Sequence, residues 1–361
     1  MAKHFRPLTI LDIRNETDDC VSISFHIPEE WKEEFKFKAG QNITLRTKIR
    51  GEEIRRSYSI CSSPFENELR VAIKKVEEGL FSSHAHAHFK PAQVLDVLAP
   101  TGNFILPLHP SNRKHYVAFA AGSGITPVIS LLKTVLKEEP FSHFTLVYGN
   151  RTRASVIFRE ELLALKNEFP EQFQLMMIFS REKMDAPVFE GRIDASKCEM
   201  IFKQILPLSA EQEYLLCGPA PMIFSVRSWL MEQKIADKKI HFELFSDPGE
   251  LGKPREKANA VIAESSEINS SVTIRLDGVS SDYQIPVEGP SILEAAIQAG
   301  ADLPYACRAG VCASCRAKLV NGKVTMDQNY ALADEEIEQG FILACQSHPA
   351  SEKLTIDFDV R

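Results

Sequence analysis

The sequence lacks any apolar run approaching the roughly 18–20 residues that a membrane-spanning helix needs. Its first residues, Met1-Ala2-Lys3-His4-Phe5-Arg6-Pro7, lack the apolar core of a secretory signal. It also lacks an excess of positive charge: acids and bases are interspersed to a formal net charge of -7, which leaves no basic patch for nucleic acid. These absences point to a cytoplasmic protein with no nucleic-acid and no membrane partner, outside the compartments where disulfides form. At 361 residues the chain exceeds one small domain, and three domains are expected.

Cysteine is sparse but unevenly spread. Cys20, Cys61, Cys198 and Cys217 stand apart, and reduced thiols are expected there. The other four form a constellation: Pro304-Tyr305-Ala306-Cys307-Arg308-Ala309-Gly310-Val311-Cys312-Ala313-Ser314-Cys315, answered by Cys345. C-x4-C-x2-C plus one distant cysteine is the plant-type spacing for a [2Fe–2S] cluster, with Cys307, Cys312, Cys315 and Cys345 as ligands. Two irons need four thiolates, and a loop holding three can turn its N–H groups toward the sulfurs, which stabilises the reduced state. Ala306, Ala309, Gly310, Ala313 and Ser314 are small enough to let the backbone approach. A zinc site would more often show two C-x2-C pairs. Such a cluster carries one electron, so something upstream must deliver electrons singly.

From Leu8 to about Leu108 short β-rich runs separated by turn residues read as a small antiparallel β-barrel. Within it lies Arg55-Arg56-Ser57-Tyr58-Ser59-Ile60-Cys61, which resembles the R-x-Y-S flavin motif of the ferredoxin–NADP reductase superfamily. The resemblance implies FAD, held by Arg56, Tyr58, Ser59 and Ile60. A tyrosine can stack on the isoalloxazine, a serine can hydrogen-bond the N5 edge where hydride arrives, and an arginine can pair with the pyrophosphate. By the same similarity, Gly79, Ser82 and Ser83 at the start of a short helix would hold the pyrophosphate, although Ser82 also suits an ordinary N-cap. In a helix only His84 and His88 of the three neighbouring histidines share a face, and no acid accompanies them, so a solvated surface is expected rather than a metal site.

From His115 the pattern changes to a parallel-sheet α/β domain. A buried strand over residues 116–121 runs into Gly122-Ser123-Gly124-Ile125-Thr126-Pro127 and a helix over 128–136. Strand, glycine-rich turn and helix make a dinucleotide site, so Gly122, Gly124, Thr126 and Pro127 are placed at a pyrophosphate. Pro127 replaces a third glycine, as in the superfamily's G-x-G-x-T-P. Further strands are expected over 144–150, 173–179, 214–216 and 240–245, with a helix over 158–167. Cys217-Gly218-Pro219 resembles the superfamily's C-G-P, which would set the cysteine against nicotinamide C4, although a buried structural thiol fits as well. The E-x-F segment ending at Phe245 implies an aromatic at the flavin's nicotinamide face, with a plain core phenylalanine as the alternative. Ser180-Arg181-Glu182 resembles the superfamily's S-R-E, where serine and arginine hold a 2′-phosphate; with Arg151 and Arg153 nearby this implies NADPH over NADH, unless Arg181 is simply solvated. The catalytic set is therefore expected to be Ser59, Cys217 and Phe245.

Polar residues from 247 to 269 read as a linker, which divides the chain into a FAD domain (1–109), a nucleotide domain (110–246) and a β-grasp ferredoxin domain (270–361). The last opens on a hairpin (272–276 and 283–287) and a helix over 292–299 capped by Ser291, and closes on strands over 315–319 and 353–358. The order forms an electron relay from NAD(P)H through FAD to the cluster and on to a partner. A redox sensor or scaffold without turnover is the competing class, but would have no use for all three motifs. Runs such as Leu146-Val147-Tyr148-Gly149-Asn150-Arg151-Thr152, Asp302-Leu303-Pro304-Tyr305-Ala306-Cys307 and Asp327-Gln328-Asn329-Tyr330-Ala331-Leu332 resemble the reductase subunits of bacterial phenylacetyl-CoA epoxygenases. That resemblance implies a di-iron oxygenase complex as electron acceptor. Reductases of ketosteroid hydroxylases and of alkane or aromatic oxygenases share the module order. Asp334, Glu335, Glu336 and Glu338 would face a basic patch on the acceptor, or be a solvated helix face.

Overall fold

The computed structural model describes residues 4–245 and 269–360, so most of the segment read as a linker lies outside the described residues. The first domain is built from β1 (Phe5–Thr17), β2 (Cys20–His26), β3 (Asn42–Ile49), β4 (Glu52–Ser59), β5 (Leu69–Lys74), α1 (Leu80–His88) and β6 (Val94–Thr101). All its strand pairs are antiparallel, in the order β4-β3-β6-β1-β2-β5. An Ile60↔Val71 bridge and the Cys61 N–H to Arg70 carbonyl bond, 2.8 Å, join the two edges and close the barrel. Leu8, Ile10, Ile23, Ile43, Leu45, Ile60 and Val71 fill it, all at most 1% exposed.

The second domain contains β7 (His115–Ala121), α2 (Ile125–Glu138), β8 (His143–Asn150), α3 (Arg159–Glu168), β9 (Phe173–Phe179), α4 (Ala195–Gln204), β10 (Glu213–Gly218), α5 (Ala220–Glu232) and β11 (Ile240–Leu244). Its strands are all parallel, in the order β11-β10-β7-β8-β9. Helix α2 begins at Ile125, three residues earlier than expected, because Pro127 falls in its first turn, where a missing N–H costs nothing. Helix α3 begins one residue later than expected because Phe158 is left-handed (φ 58°). Helices α4 and α5 add to the elements expected from the sequence; α4 is capped by Asp194 Oδ1, which accepts the Lys197 N–H at 2.9 Å.

The barrel and the parallel sheet share one apolar core, in which Cys20, Ala39, Cys61, Ala72 and Phe104 of the barrel side meet Ile125, Leu131 and Val135 of α2. Polar contacts reinforce the seam: Lys133 donates to Glu66 and to Glu161, each at 2.8 Å, and Ser130 donates to the Ser62 carbonyl at 2.6 Å. Cys20, Cys61, Cys198 and Cys217 are buried free thiols. Burial pushes the thiols of Cys20 and Cys198 up to about 12, which leaves both unreactive.

The third domain comprises β12 (Asn269–Leu276), β13 (Val279–Pro286), α6 (Ile292–Gln298), β14 (Arg316–Asn321), β15 (Val324–Met326), α7 (Asp334–Glu338), β16 (Phe341–Leu343), β17 (Ser347–Pro349) and β18 (Lys353–Asp357). Its main sheet runs β13-β12-β18-β14-β16, with β12 and β18 parallel. Asp277 and Gly278, both left-handed, make the tight β12–β13 turn. Ser291 Oγ caps α6 by accepting the Glu294 N–H, as expected. Strand β14 starts at Arg316 rather than at 315, because Cys315 stays in the loop that carries the other cysteines.

Glu213, at the start of β10, gathers Lys239 Nζ (2.8 Å), His241 Nε2 (3.0 Å) and Lys114 Nζ (3.7 Å). Burial opposes its charge, but hydrogen bonds from His241 and Lys239 outweigh this and hold the carboxyl down at about 2. A lowered pKa stabilises the fold fully above the ordinary value of 4.5 and ceases to do so as pH falls through about 2. The stability gap between wild type and Glu213→Gln is therefore expected to be on the order of 3 kcal/mol near neutrality and to shrink below pH 4.5. Denaturant unfolding followed by circular dichroism at several pH values measures it; a gap that does not change with pH would remove this account.

Candidate functional site

Strand β4 alternates its side chains between two faces. Ile54, Tyr58 and Ile60 turn toward the barrel core, while Arg55, Ser57 and Ser59 turn outward. Tyr58 lies 5.7 Å from the ring of Phe81 in α1, so the R-x-Y-S strand and the start of α1 come together as a flavin site requires. Arg56 is exposed and donates to the Arg55 carbonyl at 2.8 Å. Ile60 is fully buried, with its N–H on the Gln41 carbonyl at 2.8 Å, so its side chain belongs to the core.

Gly79 is the N-cap of α1, where a Cβ would come within 2.5 Å of Ser82 Oγ. That hydroxyl is committed to the turn: it accepts the Val76 N–H at 3.1 Å and donates to the Gly79 carbonyl at 3.3 Å. Ser82 is therefore not the N-cap expected as the alternative: Gly79 holds that position, and Ser82, the third residue of the helix, closes the preceding turn. The Ser83 N–H also bonds the Gly79 carbonyl, at 3.0 Å. What remains for an anion is the set of unpartnered N–H groups that opens any helix. Among the histidines, His86 Nε2 bonds the Ile73 carbonyl at 2.9 Å, and His84 and His88 pack against each other at 4.7 Å.

In the nucleotide domain the expected residues collect at the carboxyl edge of the parallel sheet. Gly122 is left-handed (φ 54°) and gives its carbonyl to Tyr148 OH at 3.0 Å. Gly124 is a glycine for a different reason than ligand approach: a Cβ there would stand 2.1 Å from the Cys217 carbonyl oxygen. Thr126 donates its hydroxyl to the Ser123 carbonyl at 3.0 Å, and Pro127 is buried, so both shape the turn. Cys217 is fully buried, Gly218 follows it at the end of β10, and Pro219 caps α5. Ser180 donates to the Asn150 carbonyl, and the Arg181 N–H bonds the Arg151 carbonyl at 2.9 Å, which sets the two exposed arginines side by side. Glu182 is turned onto Arg153, whose N–H it accepts at 2.8 Å.

The residue that sequence reasoning passed over is Glu243. Strand register sets it beside Cys217, and its Oε2 accepts the Ser59 hydroxyl at 2.7 Å across 184 positions of sequence. Enclosure by three domains lifts its carboxyl to about 8, against a smaller opposing effect of the Ser59 hydrogen bond. It lines a cavity of about 160 Å³ with Asn42, Phe242, Val311 and Tyr330. The E-x-F segment carries the signal, although Phe245 is its more conspicuous residue. Phe245 directly follows β11 and is 38% exposed, so it is not a core phenylalanine. A larger cavity, about 540 Å³, lies between the 33–41 segment and the cysteine loop and includes none of the flavin-motif or C-G-P residues.

All four clustered cysteines converge, and they do so in pairs. Cys307 lies within hydrogen-bonding reach of Cys312, and Cys315 of Cys345. Two pairs are what two irons need, and none of the four is tied up in a disulfide. Backbone N–H groups point at the sulfurs, from Ala309 to Cys307 at 3.3 Å, from Ser314 to Cys312 and from Gly310 to Cys345. The loop achieves this with three left-handed residues, Arg308, Gly310 and Ala313. The donor set therefore fits a [2Fe–2S] cluster. Its Cys312–Cys315 side rests on the barrel: Ser314 Oγ lies 3.1 Å from Thr44 Oγ1, and Thr101 Oγ1 lies 3.5 Å from the Cys312 carbonyl. Asn103 donates to the Ala331 carbonyl at 2.8 Å, and Val311 and Tyr330 pack on the nucleotide domain. Of the acids expected to face a partner, Glu336 is drawn inward by Asn103, the Ala333 N–H and Arg316; Asp334, Glu335 and Glu338 remain exposed.

Three family models match in chain order: an oxidoreductase FAD-binding domain over residues 7–105, an oxidoreductase NAD-binding domain over 119–228 and a 2Fe-2S iron-sulfur cluster binding domain over 274–350. The chain is 39% identical over 357 residues to a subunit of the 1,2-phenylacetyl-CoA epoxidase of Escherichia coli (strain K12), covering 99% of this chain and 98% of that protein. It is 32% identical to the ferredoxin reductase component of 3-ketosteroid-9-alpha-monooxygenase of Rhodococcus rhodochrous, covering 97% and 96%. The solved structure of phthalate dioxygenase reductase superposes with a TM-score of 0.59 at 25% identity, covering 98% of both chains.

The Ser59–Glu243 bond predicts energetic coupling. In rapid-mixing measurements of flavin bleaching by nucleotide, Ser59→Ala and Glu243→Ala are each expected to slow the reaction. The double variant should lose less than the sum by about 1 kcal/mol. Strictly additive losses would mean that the two side chains act independently.

Proposed function

Because the chain belongs to the family of reductase components that join an FAD-binding, an NAD-binding and a 2Fe-2S domain in one polypeptide, we propose that it supplies electrons to an oxygenase that epoxidises phenylacetyl-CoA. When bound, the flavin takes a hydride from the nucleotide and releases electrons singly, and the cluster carries one at a time. The observation that carries this reading is that the outward face of β4 meets both Glu243 of the nucleotide domain, through Ser59, and the cysteine loop, through Ser57, Thr44 and Ser314. One short strand thereby joins the nucleotide domain, the flavin motif and the cysteine loop, which supports the relay.

The chain's own residues bind, orient and exclude water. Tyr58 offers a ring face and Arg56 an exposed cation for the flavin, with the start of α1 at its pyrophosphate. Burial keeps a proton on the Glu243 carboxyl near neutral pH, beside Ser59 Oγ. A nicotinamide would lie at the end of β10, by Cys217 and Gly218, with the exposed Phe245 after β11 as the aromatic for its flavin side. Arg151 and Arg181, with Glu182 neutralised by Arg153, favour NADPH over NADH. The acceptor is a di-iron oxygenase complex met in the cytoplasm, and exposed Asp334, Glu335 and Glu338 would steer the encounter. Among the described residues no helix is long and apolar enough to cross a membrane.

Reconstitution tests the reading. Epoxidation of phenylacetyl-CoA by the purified oxygenase should require this protein and NADPH and should weaken with added salt. Equal turnover with an unrelated ferredoxin reductase, or electron delivery to a ketosteroid hydroxylase alone, would overturn the acceptor. Arg181→Ala should lower kcat/KM for NADPH about tenfold or more, the worth of one charge-assisted hydrogen bond, and leave NADH unaffected. An equal response to both nucleotides would remove the NADPH preference.

A further inference from the structure

Arg55 and Arg56 are identical neighbours with opposite fates. Arg56 is exposed, whereas the side chain of Arg55 is 6% exposed and its fork is spent between two domains. Its Nε donates to Glu53 of the same strand at 2.7 Å. Its Nη1 donates to the Leu303 carbonyl and its Nη2 to Asp302 Oδ1, both at 3.1 Å and both in the segment leading into the cysteine loop. The guanidinium also stacks 4.3 Å from the ring of Tyr305, two residues before Cys307, and 5.0 Å from Phe5. The neighbouring interdomain bonds of Thr44 and Thr101 join neutral groups, and those of Asn103 to Glu336 and of His4 to Asp277 lie in exposed positions, so Arg55 supplies the buried charge at this seam.

We propose that Arg55 is a positioning residue that clasps the cluster domain against the barrel in its electron-receiving arrangement. Lysine cannot substitute, because the clasp needs a planar fork on two acceptors and a flat cation on Tyr305 at once. This rests on the relay reading of the chain. The rate of cluster reduction scales with the fraction of molecules that are docked, so a domain docked about one tenth of the time receives electrons about tenfold more slowly.

The test uses the full-length holoprotein with FAD and iron quantified, mixed rapidly with NADPH or NADH. In Arg55→Lys and in Asp302→Arg, nucleotide should bleach the flavin and drive ferricyanide reduction at the wild-type rate, while cluster reduction slows about tenfold or more. Hydrogen exchange at residues 303–307 should quicken in both. Asp302 is 80% exposed and lies in the cluster domain, so Asp302→Arg decides the matter if Arg55→Lys disturbs the barrel. Cluster reduction and exchange within about twofold of wild type in Asp302→Arg would overturn the clasp. A wild-type cluster that nucleotide cannot reduce would overturn the relay reading itself.

Discussion

Side chains on a strand alternate between faces, and in β4 that alternation ties the molecule together. The inward set builds the barrel and presents Tyr58 to α1. The outward set reaches two other domains within five residues: Arg55 and, through Thr44, Ser57 meet the cysteine loop, and Ser59 meets Glu243. A register slip of one residue would exchange the sets and aim the core tyrosine at the cluster domain. Closure of the barrel through Ile60 and Cys61 fixes the register at this end.

The two seams of the molecule differ in kind. Barrel and parallel sheet share a continuous apolar core, and separating them would expose Phe104, Ile125 and Leu131 to water. The cluster domain closes a core of its own around Val272, Leu293, Leu343 and Ile356, and meets the rest largely through hydrogen bonds and Arg55. Water can replace polar partners at modest cost, so the second seam, despite the packing of Val311 and Tyr330, costs less to open than the first. A protein that must receive electrons on one side and give them up on another gains from that difference.

What the sequence made legible followed from spacing. Four cysteines with small residues between them announced a nest, and the structure gathers them in two pairs. Alternating strands, β/α repetition and a glycine-rich turn announced the layers. What stayed hidden were the commitments of individual polar groups. Ser82, Thr126 and Ser180 carry the hydroxyls a phosphate would want, yet each bonds a carbonyl: the first two reach three residues back in their own turn, and Ser180 reaches across to Asn150 at the end of β8. Glu243 was hidden by distance, since its partner lies 184 positions away. Gly124 is indispensable, as its place in the turn suggests, but for another cause, the approach of the Cys217 carbonyl. Arg55 and Arg56 look alike in sequence; alternation sends Arg55 to the domain seam and leaves Arg56 on the face of Tyr58, where it is exposed.

The central strand of the cluster domain's sheet is β18, which follows all four cysteines in sequence yet lies between β12 and β14. Without it the sheet is two fragments, a β12–β13 hairpin and a β14–β16 pair. The sheet of the cluster domain is therefore joined only after residues 353–357 have been synthesised, whereas the strands of the barrel and the parallel sheet precede the cysteine loop. During translation the flavin and nucleotide portions can complete their shared core while the thiols are still unhoused. A truncation that removed β18 would accordingly leave the shared core of the flavin and nucleotide portions whole beside a third domain whose sheet cannot close.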